Sequence, residues 1–408
     1  MTINALWIYL FVRALKSHFL TPVICPNHTM IGSAITKIIK ASLCPFVSII
    51  IPARNEEENI ERCLLSLLYQ NYCNFEVIAV SDNSTDSTLK IMKKIESTIT
   101  PNRLKVISLT TDKPDGWTGK TWASQQGYLQ SQGDLLLFTD ADTHYFDNNT
   151  ISMAVSYMQK ENLDVLTGVP FLELTDFWSK IVMPLWHLFS ELFGTGIADV
   201  NNPKSKMAYL MGSFFLIKRR VLEEIGTFYS VRNDIQEDRS LGKRIKEAGY
   251  NLRIVKLSNV MSALVSRDLR TLWYVIGRTI APIAAESRLR PLYNLLTIFF
   301  MAALPFIFLP YTLSITVVKQ IQFSLDLQFL FESDFLLLFV LFLNIISCIM
   351  VIIGVAIKAT IKHRLVPIYS ILTFLGAIFL TIAYVYYLVP LLVSNKPKPI
   401  VWRGRNQK

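Results

Sequence analysis

The sequence predicts an α/β domain with an open, mainly parallel sheet, followed by a C-terminal bundle of membrane-spanning helices. Three observations carry this expectation. Strand-like apolar runs alternate with helical periodicities between Phe46 and Thr139, polar clusters stand immediately after three of those strands, and charge-free runs fill most of residues 291–395. Bulk composition agrees, because 51% apolar and 18% charged residues over 408 positions is too oily for an ordinary soluble protein and too polar for one lying wholly in a membrane. The 25 Phe, 16 Tyr and 7 Trp supply enough buriable surface to exclude a disordered chain.

The elements follow in order. Ala5–Val12 is apolar but only eight residues long before Arg13, too short to span, and it lacks the basic leader of a signal peptide. With Lys16 following, it reads either as a short interfacial helix or as a simple packing helix. Phe46–Ile51 is a continuous β-branched run stopped by Pro52, as suits a buried parallel strand. Glu57–Gln70 has Ile60, Cys63, Leu64, Leu67 and Leu68 at helical spacing behind an acidic first turn. Phe75–Val80 is the second strand, and Ser84 is placed to cap the helix that carries Leu89, Ile91, Met92 and Ile95. Leu104–Leu109 is a third strand, Lys120–Gln130 a helix, and Asp134–Thr139 a fourth strand. Alternation of this kind implies a parallel sheet with right-handed crossovers. Phe177–Phe193, rich in Trp and Phe around a Pro184 break, suits either the headgroup level of a membrane or a core helix.

The last part of the chain is a different material. Pro291–Val318, Phe335–Ile357 and Leu365–Asn395 run 28, 23 and 31 residues without a charge, each longer than the ~20 needed to cross a hydrocarbon core. Residues 291–408 carry nine Lys and Arg against three acids, so +6 of the formal +10 flanks these runs. The first 290 residues carry 32 basic residues against 28 acids, a balance that argues against a nucleic-acid binder, which shows its basic residues on one soluble face. Five cysteines at 25, 44, 63, 73 and 348 form no Cys-x-x-Cys pair, so neither a zinc site nor a disulfide framework is indicated, and a reducing compartment is expected. With the soluble part in the cytosol, loop 319–334 belongs outside and the basic loop 358–364 inside, as the positive-inside rule expects. Three spans then put the basic tail outside, against the rule, unless the last run is re-entrant.

In such sheets ligands bind beyond the carboxyl ends of the strands. Strand one ends in Pro52-Ala53-Arg54-Asn55-Glu56, strand two in Ser81-Asp82-Asn83-Ser84, and strand four in Asp140-Ala141-Asp142. One acid after a strand is usually a turn former, whereas three clusters on one sheet edge suggest a site. Asp140 and Asp142 have the composition of a Mg²⁺ or Mn²⁺ site, since these hard cations take carboxylate oxygens together with ligand phosphates; the strand is expected to bend there if both serve one ion. Gly116-Trp117-Thr118-Gly119-Lys120-Thr121 looks like the tail of a phosphate-binding loop, but the position five before Gly119 is Pro114, so the full motif fails. No Gly-x-Gly-x-x-Gly follows strand one, and a dinucleotide cofactor is not indicated. Lys120 is read as a lysine reaching the base or phosphates of a nucleotide, with a solvated helix-start lysine as the plainer reading. Glu237 and Asp238 open a helix with Leu241, Ile245 and Ala248 on one face. Acids there suit the helix dipole, and a carboxylate can also take a proton from a bound hydroxyl.

Together the segments Val47–Glu57, Val80–Asp86, Phe138–Asp142 and Glu237-Asp238 with Ala248-Gly249-Tyr250 resemble the family 2 glycosyltransferases, over about residues 44–260. The Gly-Trp-x-Gly-Lys-Thr-Trp run and the membrane helices resemble the subgroup associated with hopanoid and carotenoid glycosylation. The resemblance implies a GT-A fold, in which Pro52, Ala53, Asn55, Glu56 and Asp82 hold the nucleotide and Asp82 reads the base edge. It further implies that Lys120, Asp140 and Glu237 add donor contacts, that Asp142 with Asp140 ligates the metal, and that Asp238 is the catalytic base. Two departures stand out. Ser81 precedes Asp82 where many members have two acids, and residues 266–282 lack the Gln-x-x-Arg-Trp signature of processive synthases, which disfavours a polymerising enzyme. Arg278 suits donor phosphates or a lipid headgroup equally.

The expected organisation is an N-terminal interfacial segment (1–43), a GT-A domain (44–260), a juxtamembrane amphipathic segment (261–290), a transmembrane region of about three helices (291–395) and a basic tail (396–408). The expected protein is an inverting, metal-dependent glycosyltransferase of the cell membrane with its catalytic domain in the cytoplasm. It takes a nucleotide-sugar donor and moves one sugar to a hydrophobic lipid or isoprenoid acceptor, and it binds no nucleic acid. Transfer to a polyprenyl phosphate is the alternative acceptor class, and a catalytically silent nucleotide-binding scaffold the alternative outside enzymes.

Overall fold

Seven strands line up in the order β3-β2-β1-β4-β8-β6-β9. They are β1 (Val47–Ala53), β2 (Phe75–Asp82), β3 (Leu104–Leu109), β4 (Leu135–Phe138), β6 (Val165–Val169), β8 (Phe215–Lys218) and β9 (Leu252–Lys256). The computed structural model describes residues 7–9, 12, 21–24, 44–99, 103–192, 197–202, 204–325, 331–394, 398, 400–402 and 405–407. β1 pairs in parallel with β2 and β4, β2 with β3, and β6 with β9, while β8 alone runs antiparallel, to both β4 and β6. The open, mainly parallel sheet read from the sequence is the sheet observed. Strands β5 (Thr143–Tyr145), β10 (Met261–Ser266) and β7 (Phe171–Leu174) make a second, three-stranded sheet. It extends past residue 260, the expected end of the domain.

Both faces of the large sheet are covered, so its strands are apolar throughout rather than alternating. Val47, Ile49 and Ile51 pack into one core with Ile60, Cys63, Leu64 and Leu67 of helix α1 (Ile60–Leu68). Ile50, Leu136 and Phe138 face the opposite core, with Ala123 of helix α2 (Gly119–Leu129) and Leu241 and Ile245 of helix α3 (Glu237–Glu247).

Three local expectations are corrected. The first strand passes through Pro52 to Ala53. Thr139 N–H donates to the Ile50 carbonyl, so Pro52, two residues on, turns its missing N–H toward the side where β4 has already ended. Ser84 does not cap a helix, which starts only at Thr88; Ser84 Oγ accepts instead from Asn55 N–H at 3.3 Å and from Ser81 Oγ at 3.1 Å. α1 likewise begins at Ile60, because Glu57 is spent outside the helix, accepting from Ser87 N–H at 2.9 Å.

The chain divides into two compact units. One, Phe19–Glu173 with Gly196–Leu264 and Val401–Lys408, holds the sheet. Within the segment expected to be interfacial, Val23 pairs in parallel with Lys256, so residues 22–24 lengthen the β9 edge. The other unit, Met1–His18 with Leu174–Thr195 and Val265–Ile400, is mainly helical where described. Trp7 is buried there, edge-on to Phe189 at 5.8 Å; Arg13 and Lys16 of that segment lie outside the described residues. Pro184 does not break Phe177–Leu192, which stays one helix, with neighbouring Met183 and Leu185 buried. Leu269–Glu286 is also helical. Among the described residues three stretches are long and apolar enough to cross a membrane: Leu289–Ile321, Phe335–His363 and Pro367–Ser394, with mean hydropathies of 2.1, 3.1 and 2.1.

Candidate active site

Sheet register sets the strand ends side by side. Ala53 pairs with Ser81, Asp82 with Leu109 and Ile50 with Phe138, so the segments after β1 to β4 all leave along one edge. The expected site residues lie there in two groups.

The first group forms around β1 and β2. Pro52 and Ala53 close β1, and Asp82, buried, closes β2. Asn55 and Asn83, in the loops beyond, take left-handed backbone angles of φ 52° and 46°, a region asparagine enters more readily than most residues. The loops are zipped together: Thr85 N–H donates to Asn55 Oδ1 at 2.9 Å, Glu56 N–H to Thr88 Oγ1 at 2.8 Å, and Glu57 N–H to Asp86 Oδ2 at 3.1 Å. Glu56 is itself buried and accepts from Asn59 Nδ2 at 2.9 Å.

The second group gathers on Lys120. Thr118 caps α2 reciprocally with Thr121, and Thr118 N–H and Thr121 Oγ1 each donate to the Arg232 carbonyl at 2.7 Å, which fixes the helix start that carries Lys120. Lys120 Nζ lies 2.6 Å from Asp140 Oδ1 and 3.0 Å from Glu237 Oε1. Glu237 and Asp238 occupy the first turn of α3, where the helix dipole favours them. Arg239 N–H donates to Asp238 Oδ1 at 2.8 Å, and Leu210 N–H to the Asp238 carbonyl at 3.1 Å. Gly212 adjoins Lys120, Asp140 and Asp238. A β-carbon on Gly212 would stand 2.7 Å from Lys120 Nζ and 3.5 Å from both Asp140 Oδ2 and Asp238 Oδ2.

The backbone does bend between Asp140 and Asp142. β4 stops at Phe138, and a turn at Ala141-Asp142 leads into β5. Thr143 Oγ1 donates to the Asp140 carbonyl at 2.8 Å, and Leu264 N–H to the Asp142 carbonyl at 3.2 Å. Behind the turn, Tyr145 OH donates to Thr139 Oγ1 at 2.9 Å, which donates to the Ser213 carbonyl at 2.8 Å. One chain of neutral groups thus steadies both the Asp140 turn and the residue after Gly212. Burial pushes the Tyr145 phenol up and the Cys63 thiol up to about 12, so both stay uncharged beside the acids.

Arg54 and Gly212 were not among the expected site residues. Arg54 stood inside the first motif, and Gly212 belongs to none of the motifs; each matters through what lies across space from it.

Comparison with known proteins adds to this geometry. The profile for Glycosyl transferase family 2 matches residues 48–226. The chain carries a family 2 glycosyltransferase domain. It is 27% identical over 274 residues to a probable glycosyltransferase, YdaM, of Bacillus subtilis (strain 168), a match covering 63% of this chain and 62% of that protein. It is 30% identical over 127 residues to the 4,4'-diaponeurosporenoate glycosyltransferase of Staphylococcus haemolyticus (strain JCSC1435), covering 31% of this chain and 32% of the relative. The matched stretches therefore span less than two thirds of either relative. Among solved structures, the mannosyltransferase PcManGT from Pyrobaculum calidifontis, in complex with GDP-Man and Mn²⁺, superposes with a TM-score of 0.50 at 16% identity, over 95% of this chain and 99% of that one. At that identity the likeness speaks to the fold, which is GT-A-like in the family 2 domain.

Proposed function

We propose that the protein is an inverting, metal-dependent glycosyltransferase that moves a single sugar from a nucleotide-diphosphate sugar to a hydrophobic lipid or isoprenoid acceptor at the membrane. The observation that supports this best is the meeting of Lys120, Asp140 and Asp238 beside the bare backbone of Gly212, with Glu237 paired to the same lysine. In this reading Pro52, Ala53, Asn55, Glu56 and Asp82 hold the nucleotide, with Asp82 at the base edge. Asp238 accepts the proton of the acceptor hydroxyl. The acceptor oxygen then bonds to the anomeric carbon on the face opposite the diphosphate, and the pair of the breaking C–O bond leaves with the nucleoside diphosphate. No covalent enzyme intermediate is needed.

Charge argues for the metal. Asp140, Glu237 and Asp238 outnumber Lys120 at this edge, and Asp142 sits on the same turn as Asp140, so an incoming diphosphate meets net negative charge. Among the described residues no cluster of three or more His, Cys, Asp or Glu would hold an ion unaided. Two carboxylates fit Mg²⁺ or Mn²⁺ when the rest of the shell comes from phosphate and water. Bound there, the ion would neutralise the departing diphosphate. Lys120 would turn from Asp140 toward the donor as Asp140 takes up its new partner.

The acceptor class rests on three stretches long enough to cross a membrane, and on the similarity to a relative named for glycosylating 4,4'-diaponeurosporenoate. Membranes containing the protein, incubated with a panel of labelled nucleotide-sugars and then extracted, should carry label in the lipid phase. Asp238→Asn and Asp142→Asn should each lower transfer by about 10²–10⁴-fold with the fold retained. Full activity in Asp238→Asn would remove it as the base, and label confined to water-soluble product would remove the lipid acceptor.

A further inference from the structure

Arg54 is a buried guanidinium, 8% exposed, between two loops of the donor edge. Its Nη1 donates to the Asp82 carbonyl at 2.7 Å and to the Asn83 carbonyl at 2.9 Å. In an extended strand successive carbonyls point to opposite sides, so two in a row cannot serve one donor. They do so here because the chain leaves β2 at Asn83, whose φ of 46° turns the second carbonyl back beside the first. The turn is held elsewhere too, with Asn83 N–H donating to the Leu109 carbonyl at 2.9 Å. The contact is therefore built. A cation withdrawn from water is hydrogen-bonded to the backbone of the residue expected to read the base, and to that of its neighbour, from the residue next to Asn55 on the facing loop.

From this geometry we infer that Arg54 is a positioning residue that sets base recognition. It acts through the peptide groups of Asp82 and Asn83, fixing where the Asp82 carboxylate stands for the edge of a purine or pyrimidine ring. The inference rests on the reading of this edge as a nucleotide-sugar site. A residue that only held the fold would affect stability and all nucleotides alike. One that aims Asp82 affects how well one base is told from another, and it affects donor KM before kcat. Both contacts come from one nitrogen at the end of a long side chain, which an ammonium on a shorter, flexible stem reproduces only in part. Lys is therefore expected to restore the charge but only part of the discrimination.

The test uses the full-length protein in membranes or detergent, with UDP, GDP, CDP and ADP as competitors of donor and as ligands in equilibrium binding. The wild type should prefer one base by at least tenfold. Arg54→Met should reduce that preference to threefold or less and raise donor KM at least tenfold with kcat within threefold. Arg54→Lys should fall between. A preference and KM unchanged in Arg54→Met would overturn the inference, as would a loss of kcat and thermal stability with the base preference intact. If Arg54→Met does not fold, Arg54→Gln, which removes the charge and shortens the reach, is measured instead, and wild-type discrimination in it overturns the inference equally. Wild-type protein that binds none of the four nucleotides would instead remove the nucleotide-site reading itself.

Discussion

Cys63 lies directly behind the Asp140 turn, its Sγ 3.7 Å from the Asp140 carbonyl and 3.6 Å from Thr143 Oγ1. Burial pushes its thiol up to about 12, leaving almost no thiolate at neutral pH. Iodoacetamide should therefore label exposed Cys73 in the native protein and reach Cys63 only after unfolding, as peptide mass spectrometry would show. Equal native labelling of the two would mean that the turn opens readily. Asp82, Asp140 and Asp238 were visible because carboxylates after strands and at helix starts follow motifs. Arg54 and Gly212 were not, since one acts on carbonyls of another loop and the other by having no side chain where Lys120, Asp140 and Asp238 converge.

Among the elements, α3 crosses the segment before it closely enough that a β-carbon on Gly242 would come within 2.6–2.9 Å of the Tyr209 backbone. Backbone cannot rotate aside as a side chain can. Gly242→Ala should thus cost about 1–3 kcal/mol, read as a lower midpoint in denaturant, and should lower transfer as well because the same helix carries Asp238. The small sheet has an acid-sensitive clasp. Arg62 of α1 holds Glu173 of β7 with contacts of 3.0 and 2.6 Å and donates to His144 Nδ1 of β5 at 2.8 Å, which requires a neutral imidazole. Burial and then the Arg62 charge hold His144 below its ordinary value, and the Arg62 hydrogen bonds hold Glu173 below the usual carboxylate range. The unfolded chain takes the His144 proton below about pH 6.5 and the folded one does not, so stability falls as pH drops through that point. A second loss follows as pH falls below about 4.3, where unfolded Glu173 protonates first. His144→Gln should shrink the upper step in a series of thermal midpoints against pH and leave the lower one. The first four strands were legible, three of them because runs covered on both faces are apolar throughout, whereas β5 to β10 were not read. Two helix starts were not legible, because Ser84 and Glu57 bond to the neighbouring loop instead of to their own helices, whereas the start at Glu237 was.

At the scale of the whole molecule, composition already divided the chain, and three stretches between Leu289 and Ser394 are long and apolar enough to span a bilayer. The full chain should sediment with membranes, resist alkaline carbonate and be released by detergent; release by carbonate alone would count against the spans. The place of β8 could not be read in advance, since four residues, Phe-Leu-Ile-Lys, give no hint of which strands they will separate. Its position constrains the order in which the protein is made. β6 is joined to the first four strands only through β8, which follows it by almost fifty residues, and its other partner, β9, comes later still. As the chain leaves the ribosome, β1 to β4 have all their mutual neighbours once residue 138 has emerged, whereas β6 waits with both edges open until β8 and β9 arrive. A nascent chain stalled in that interval leaves both edges of β6 and one edge of β4 unpaired, so the codons between β6 and β9 are where a pause in translation would most favour capture by a chaperone or aggregation.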